Sequence, residues 1–386
     1  MTAVFGESKR VHYLDNLRAL AMLLGLYLHG ALAYAEPSRS IWLASNPNGS
    51  IAIDASIWWI HLFRMSVFYL LSGYFAKLVI ERKGLKKFIH NRAIRVALPF
   101  ILFYPVLMIA MTIMIVFAVA YVKEPEGLLQ LIVSASRNPE SAGSSPWSTM
   151  HLWFLYYLLM FSLIAVVVCH WKWLKLDGLF RRTWLLVLTP LALVPGVIGG
   201  GAPVAAPESF IPTWWPFLFY GLFYFAGWQL VGREELLDRI QTGFWPLVIL
   251  GAVLYVPYYQ LLPVLDVNLI QQGKYPLTGA LYLVECVLTA YLSATWTIIA
   301  LLAGQRFLSA SNPWLKFFAD SSYWVYLIHL PVIIFLQTLL IPAEIPVWGK
   351  LLFVLVASWL FCSATYVVFV RYTPVGWMLN GKRAFP

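Results

Sequence analysis

The chain has 386 residues, 61% of them hydrophobic and only 11% charged, with a mean hydropathy of +0.75. A soluble domain has roughly a quarter of its residues charged, and no soluble core buries this much apolar surface, because surface shrinks too slowly with size. The formal charge of +10, from 27 Lys and Arg against 17 Asp and Glu, suits the cytoplasmic loops of a membrane protein rather than a nucleic-acid partner.

The polar N-terminus leads into an apolar run that lacks a cleavage site of small residues, so it reads as a retained first helix. A span needs about 20 mostly apolar residues. Ten are expected, at 14–36, 54–80, 94–122, 150–170, 184–199, 212–231, 244–262, 278–303, 318–341 and 350–371. The fifth is short and ends in Gly199, Gly200 and Gly201; the third has Pro105 inside it. With the N-terminus inside, and with Arg95, Lys350 and Arg371 at span ends counted with the adjoining loops, 19 Lys and Arg fall in inside segments, 5 in outside segments and 3 within spans. Such an alternation follows the positive-inside rule and puts both termini in the cytoplasm. The fold class expected is an all-α polytopic transmembrane bundle, one domain over 1–386. Cys169, Cys286 and Cys362 lie far apart in apolar stretches and read as buried packing residues.

Ionisable groups inside spans are expensive and face a cavity or a partner. On the first span Arg18 and His29 are 11 residues apart, about 20° past three full turns, and so share a face separated by roughly 16 Å of rise. Asp15 and Gly25 belong to the same stripe. Asp15 and Arg18 also have the spacing of an i,i+3 ion pair. The second span holds His61 and Arg64, then Ser72 and Gly73. A buried arginine needs a partner, either Glu285 on the eighth span or an anionic ligand. His151 opens the fourth span at the outer surface, and His329 sits near mid-membrane in the ninth. By depth, His29, His61, His151 and His329 all occupy the outer half of the membrane. No HxxxH pair or Cys–His set suggests a metal site. The run 81–100 is cytoplasmic and strongly basic, suited to lipid phosphates or a polyanionic cosubstrate.

Four stretches together resemble the acyltransferase type 3 family of membrane proteins. YLDNLRALAMLLGLYLHG carries Arg18, ten residues, then His29; IHLFRMSVFYLLSGYF carries Arg64; FIHNRAIRVALPF carries Arg92, Arg95 and Pro99; HLWFLYYL and SSYWVYLIHLP form the fourth. Within the family these segments resemble the glucan biosynthesis protein C subgroup, whose members are taken to succinylate periplasmic glucans. The resemblance implies a multi-pass bacterial inner-membrane enzyme that moves an acyl group, acetyl or succinyl, from a cytoplasmic acyl-CoA to a hydroxyl of an extracytoplasmic glycan.

On that reading Arg18, Arg92 and Arg95 hold the phosphates of the acyl-CoA cosubstrate, since arginine forks match phosphate oxygens. The pantetheine arm runs up the Arg18–Gly25–His29 stripe. His29 is the general base, because imidazole changes charge near neutral pH, or it carries the acyl group. Arg64, positioned by Glu285, meets the oxyanion or an acyl carboxylate. His61, His151, His329 and Ser72 bind the acceptor or support the site. The competing reading is a proton-coupled transporter or glycan exporter, against which no inverted repeat or matched pair of broken helices is visible.

Overall fold

The computed structural model describes residues 7–137, 148–171, 189–264, 277–310 and 313–381. Thirteen α-helices can be named among these residues. They are α1 (Glu7–Leu32), α2 (Ile51–Lys83), α3 (Leu85–Tyr121), α4 (Gly127–Arg137), α5 (Trp153–Trp171), α6 (Val194–Gly200), α7 (Trp215–Leu230), α8 (Glu235–Ile240), α9 (Phe244–Leu261), α10 (Gly279–Phe307), α11 (Pro313–Leu340), α12 (Val347–Thr365) and α13 (Pro374–Asn380). The only strand-like pairings among the described residues are two isolated bridges. A bilayer leaves no water for open backbone groups, so each span closes its hydrogen bonds within itself.

The all-α bundle expected from hydropathy is the fold found, and seven of its helices are long and apolar enough to cross a membrane. They correspond to the second, third, fourth, seventh, eighth, ninth and tenth expected spans. The first and sixth fall on α1, of 26 residues, and α7, of 16. The fifth is a short 3-10 turn, Thr189–Leu193, running into α6; residues 184–188 lie outside the described set. Helix α6 stops where Gly201 takes φ +81°, a conformation that only glycine adopts freely.

The outward faces of several helices are apolar. Ile109, Ile113 and Val116 on α3, Ile249, Val253 and Val256 on α9, and Phe353, Val356 and Leu360 on α12 are exposed at four- and three-residue steps. Each set forms one face of its helix, directed at lipid. Helix α1 packs between α2 and α11.

The tightest crossing joins α2 to α7. A Cβ placed on Gly73 would fall into the Tyr224 carbonyl, and one on Gly227 into the Leu70 carbonyl. Small residues of this kind let membrane helices meet backbone to backbone. At the end of the bundle with few basic residues, the segment 33–50 folds down onto the helices. Ser38 N donates to Asp54 Oδ1 (3.1 Å), Trp58 Nε1 to Ser38 Oγ (2.9 Å), and Lys350 Nζ to Asn46 Oδ1 (2.7 Å).

Candidate active site

Helices α1, α2 and α11, with the 3-10 turn Met150–Leu152 that leads into α5, bring His29, Arg64, His151 and His329 together below that folded segment. The His29 and His329 ring centroids are 5.2 Å apart and those of His151 and His329 are 5.4 Å apart, both pairs edge to face. Trp42, from the 33–50 segment, lies 5.6 Å from the His29 ring. Arg64 approaches from α2 and passes over Gly25, where an added Cβ would stand 2.5 Å from Nη1. Gly25 is one turn below His29 on α1, so its missing side chain makes room for the guanidinium. Arg64 thus occupies the space that Gly25 leaves on the stripe shared with His29.

Two of the three imidazoles have a ring nitrogen tied to a backbone carbonyl of α11. Pro331 has no N–H, which leaves the carbonyl of Leu327, four residues earlier, without its helical donor. His151 Nε2 sits 3.1 Å from that oxygen. His329 Nδ1 sits 2.8 and 3.0 Å from the carbonyls of Tyr326 and Val325 on its own helix. A carbonyl only accepts, so His151 carries its proton on Nε2 and His329 on Nδ1. His151 Nδ1 and His329 Nε2 are then acceptors. Together with His29 Nδ1 and Arg64 Nε they are buried with no hydrogen-bond partner among the described residues. Buried polar atoms are normally satisfied, and these four stand unsatisfied in one cluster.

The backbone around His29 is fixed from the same side. Gln337 Nε2 donates to the carbonyls of His29 (3.1 Å) and Gly30 (2.9 Å), and Trp42 Nε1 donates to Gln337 Oε1 (2.7 Å). Tyr326 donates its hydroxyl to the His151 carbonyl (2.7 Å). Sequence reading passed over Trp42, Gln337 and Tyr326. Gln337 carries a signal, being a polar residue deep in an apolar span, eight residues beyond His329.

Other expected site residues lie elsewhere. His61 is on α2 with Arg64 and within electrostatic reach of His29, but among the described residues no ring contact joins it to the other three histidines. Its Nε2 donates to the Val204 carbonyl (2.7 Å) and its ring packs against Trp58 at 5.4 Å. Among the described residues no ion pair joins Arg64 to Glu285; the guanidinium has Tyr220 and Tyr326 near it instead. Glu285 is fully buried on α10. Ser72 is half-buried, 11 residues along α2 from His61, about 16 Å away, and so lies outside the cluster.

At the basic end Arg18, Arg92 and Arg95 come within electrostatic reach of one another. Arg18 makes the expected i,i+3 pair with Asp15 at 3.5 Å. Arg92 lies over the Phe88 ring at 5.1 Å, and its Nε is buried without a partner among the described residues. Arg95 donates to the Asn380 carbonyl (3.1 Å), while Tyr323 donates to the Arg95 carbonyl (2.7 Å). Tyr323, Tyr326 and His329 follow at three-residue steps on α11. One face of that helix thus runs from the basic cluster to the histidine cluster. No group of three or more His, Cys, Asp or Glu side chains among the described residues is placed to hold a metal ion.

A helical bundle with a buried histidine and arginine cluster linked to a basic mouth defines a membrane enzyme of group transfer. The model of the acyltransferase domain family matches residues 11–370, and the chain belongs to that family. It is a multi-pass membrane transferase of acyl groups other than aminoacyl groups, and its relatives are bacterial. It is 25% identical to the glucans biosynthesis protein C of Shigella dysenteriae serotype 1 (strain Sd197) and to that of Escherichia coli (strain K12), in each case covering 97% of this chain and 95% of the relative. The protein of the same name from Salmonella heidelberg (strain SL476) is 25% identical over 86% of this chain and 85% of its own length. No solved structure matches the chain.

Proposed function

We propose that this protein moves a short acyl group, acetyl or succinyl, from a cytoplasmic acyl-CoA to a hydroxyl of an extracytoplasmic glucan. The acceptor class follows the relatives, which are named for glucan biosynthesis. The observation that carries the mechanism is the meeting of His29, His329 and Arg64 in one buried cluster, with Arg64 seated on Gly25 directly below His29. A base and a cation on one wall suit attack on a carbonyl.

In this reading both termini are cytoplasmic and the whole chain, 1–386, is one transmembrane domain. The basic end, with Arg18, Arg92 and Arg95, takes the donor phosphates. The thioester lies along the α11 face toward His29. The acceptor hydroxyl oxygen attacks the thioester carbon while its proton passes to a ring nitrogen of His29. Arg64 donates N–H groups to the oxyanion. Collapse breaks the C–S bond and forms the ester, and the proton passes from His29 to the thiolate, releasing free thiol. His151 and His329, with fixed tautomers, present acceptor nitrogens to the other hydroxyls of the acceptor sugar. Glu285 belongs to the acceptor side through α10 rather than to Arg64.

The test is purified protein in liposomes with acetyl- or succinyl-CoA and a glucan acceptor. Ester on the glucan should equal thiol released, and His29→Ala should lower the rate by about 10²–10⁴. Thiol release that ignores both the acceptor and His29→Ala would defeat the reading.

A further inference from the structure

Helix α10 carries Glu285, Thr289, Ser293 and Thr297 at four-residue steps. Each step turns about 40°, so the four form a slowly winding stripe roughly 18 Å long. Their exposures are 0, 1, 1 and 1%. In membrane helices a buried Ser or Thr commonly bonds back to the carbonyl four residues earlier. Ser162, Thr338 and Thr365 do so here, to Leu158, Ile334 and Phe361 at 2.7, 2.8 and 2.9 Å. The hydroxyls of Thr289, Ser293 and Thr297 do not, and have no partner among the described residues. Ser66 on α2 and Ser358 and Ser363 on α12 are likewise buried without a partner among the described residues, but α10 sets three such hydroxyls on one stripe.

Thr289 and Ser293 border a cavity of about 10 Å³, lined also by His61, Val204, Tyr220 and Tyr258 and by the apolar Leu62 and Phe219. That volume admits about one hydroxyl or water-sized group. With Nε2 of His61 committed to Val204, its Nδ1 is an acceptor. No Lys or Arg lines the cavity, so nothing there recruits phosphate, and the clustered hydroxyls disfavour an alkyl chain. Tyr220 stands between this cavity and Arg64, which connects it to the histidine cluster.

We infer that Thr289, Ser293 and their cavity form a second subsite, which receives one hydroxyl of a neutral polyhydroxylated ligand by hydroxyl-to-hydroxyl hydrogen bonds. Resting on the acyl-transfer reading above, the ligand is the sugar of the acceptor adjoining the reacting one. Thr289 and Ser293 are the specificity-determining residues. His61 belongs to this subsite and not to the catalytic cluster.

The test uses full-length protein in lipid nanodiscs on a His29→Ala background, so that no turnover enters, with a linear glucan oligosaccharide titrated by calorimetry. Thr289→Val with Ser293→Ala removes both hydroxyls while keeping shape. Affinity for the oligosaccharide should fall about tenfold or more, since one lost hydrogen bond is worth about a decade. Thr289→Ser with Ser293→Thr should restore it to within threefold, and acyl-CoA affinity should stay within twofold throughout. Unchanged oligosaccharide affinity in the hydroxyl-free variant overturns the subsite, including the case where only its melting temperature moves, which would mean the hydroxyls hold water alone. An equal fall in acyl-CoA affinity also overturns it. Failure of the acyl-transfer reading shows separately, as no thiol release by protein with intact His29. Absence of oligosaccharide binding with the stripe intact counts against both.

Discussion

Arg64 rests on Gly25: its Nη1 stands 2.5 Å from where a Cβ on that residue would be. Gly25→Ala therefore displaces the guanidinium without touching any titratable group. Turnover should fall about tenfold or more, in line with loss of a charge-stabilising donor, while the melting temperature stays near that of the unaltered protein. Activity equal to that of the unaltered protein would show that Arg64 does not act from this position.

Pro331→Ala separates stability from catalysis. It returns an N–H that reclaims the Leu327 carbonyl now bound to His151 Nε2 at 3.1 Å. A helix-interior proline is unfavourable by about 3 kcal/mol, so thermal stability should hold or rise. Turnover should nevertheless drop, because His151 loses the carbonyl that sets its tautomer. Retained activity with raised stability would count against that role.

Arg92→Ala and Arg95→Ala should each raise the KM for acyl-CoA about tenfold, as expected for a charge-assisted phosphate contact, with little change in the KM for acceptor. Arg95 also holds the Asn380 carbonyl at 3.1 Å, so Arg95→Ala should additionally expose the α13 end to proteolysis. Steady-state kinetics with each substrate varied, followed by limited digestion, would check both.

Gly73→Ala and Gly227→Ala place a methyl inside backbone carbonyls rather than against yielding side chains. Each should lower stability by about 1–3 kcal/mol, the usual range for overpacking. The loss should be visible as earlier thermal unfolding in detergent, and the pair together should lose less than the sum because they share one crossing.

Much of this was readable from the residues. Hydropathy placed the seven helices long and apolar enough to cross a membrane, and the 11-residue interval put Arg18 and His29 on one face of α1. Depth along each helix put His29, His61, His151 and His329 at one level, and three of the four rings meet in the structure. Depth says nothing about rotation, however. His61 is three residues from Arg64, yet it faces a different cavity, because the Gly73–Gly227 crossing sets how α2 is turned. Pairing Arg64 with Glu285 matched charges without knowing that orientation. Trp42 comes from an irregular segment whose path over His29 no periodicity encodes.

The contact of α2 with α7 at carbonyl distance has a consequence for motion. Two helices that touch backbone to backbone have no cushion of side chains on which to slide. They behave as one keel. Since Arg64 and His61 both ride on it, entry of donor and acceptor must be accommodated by the elements around that keel, the folded 33–50 segment at one end and the α13 latch on Arg95 at the other.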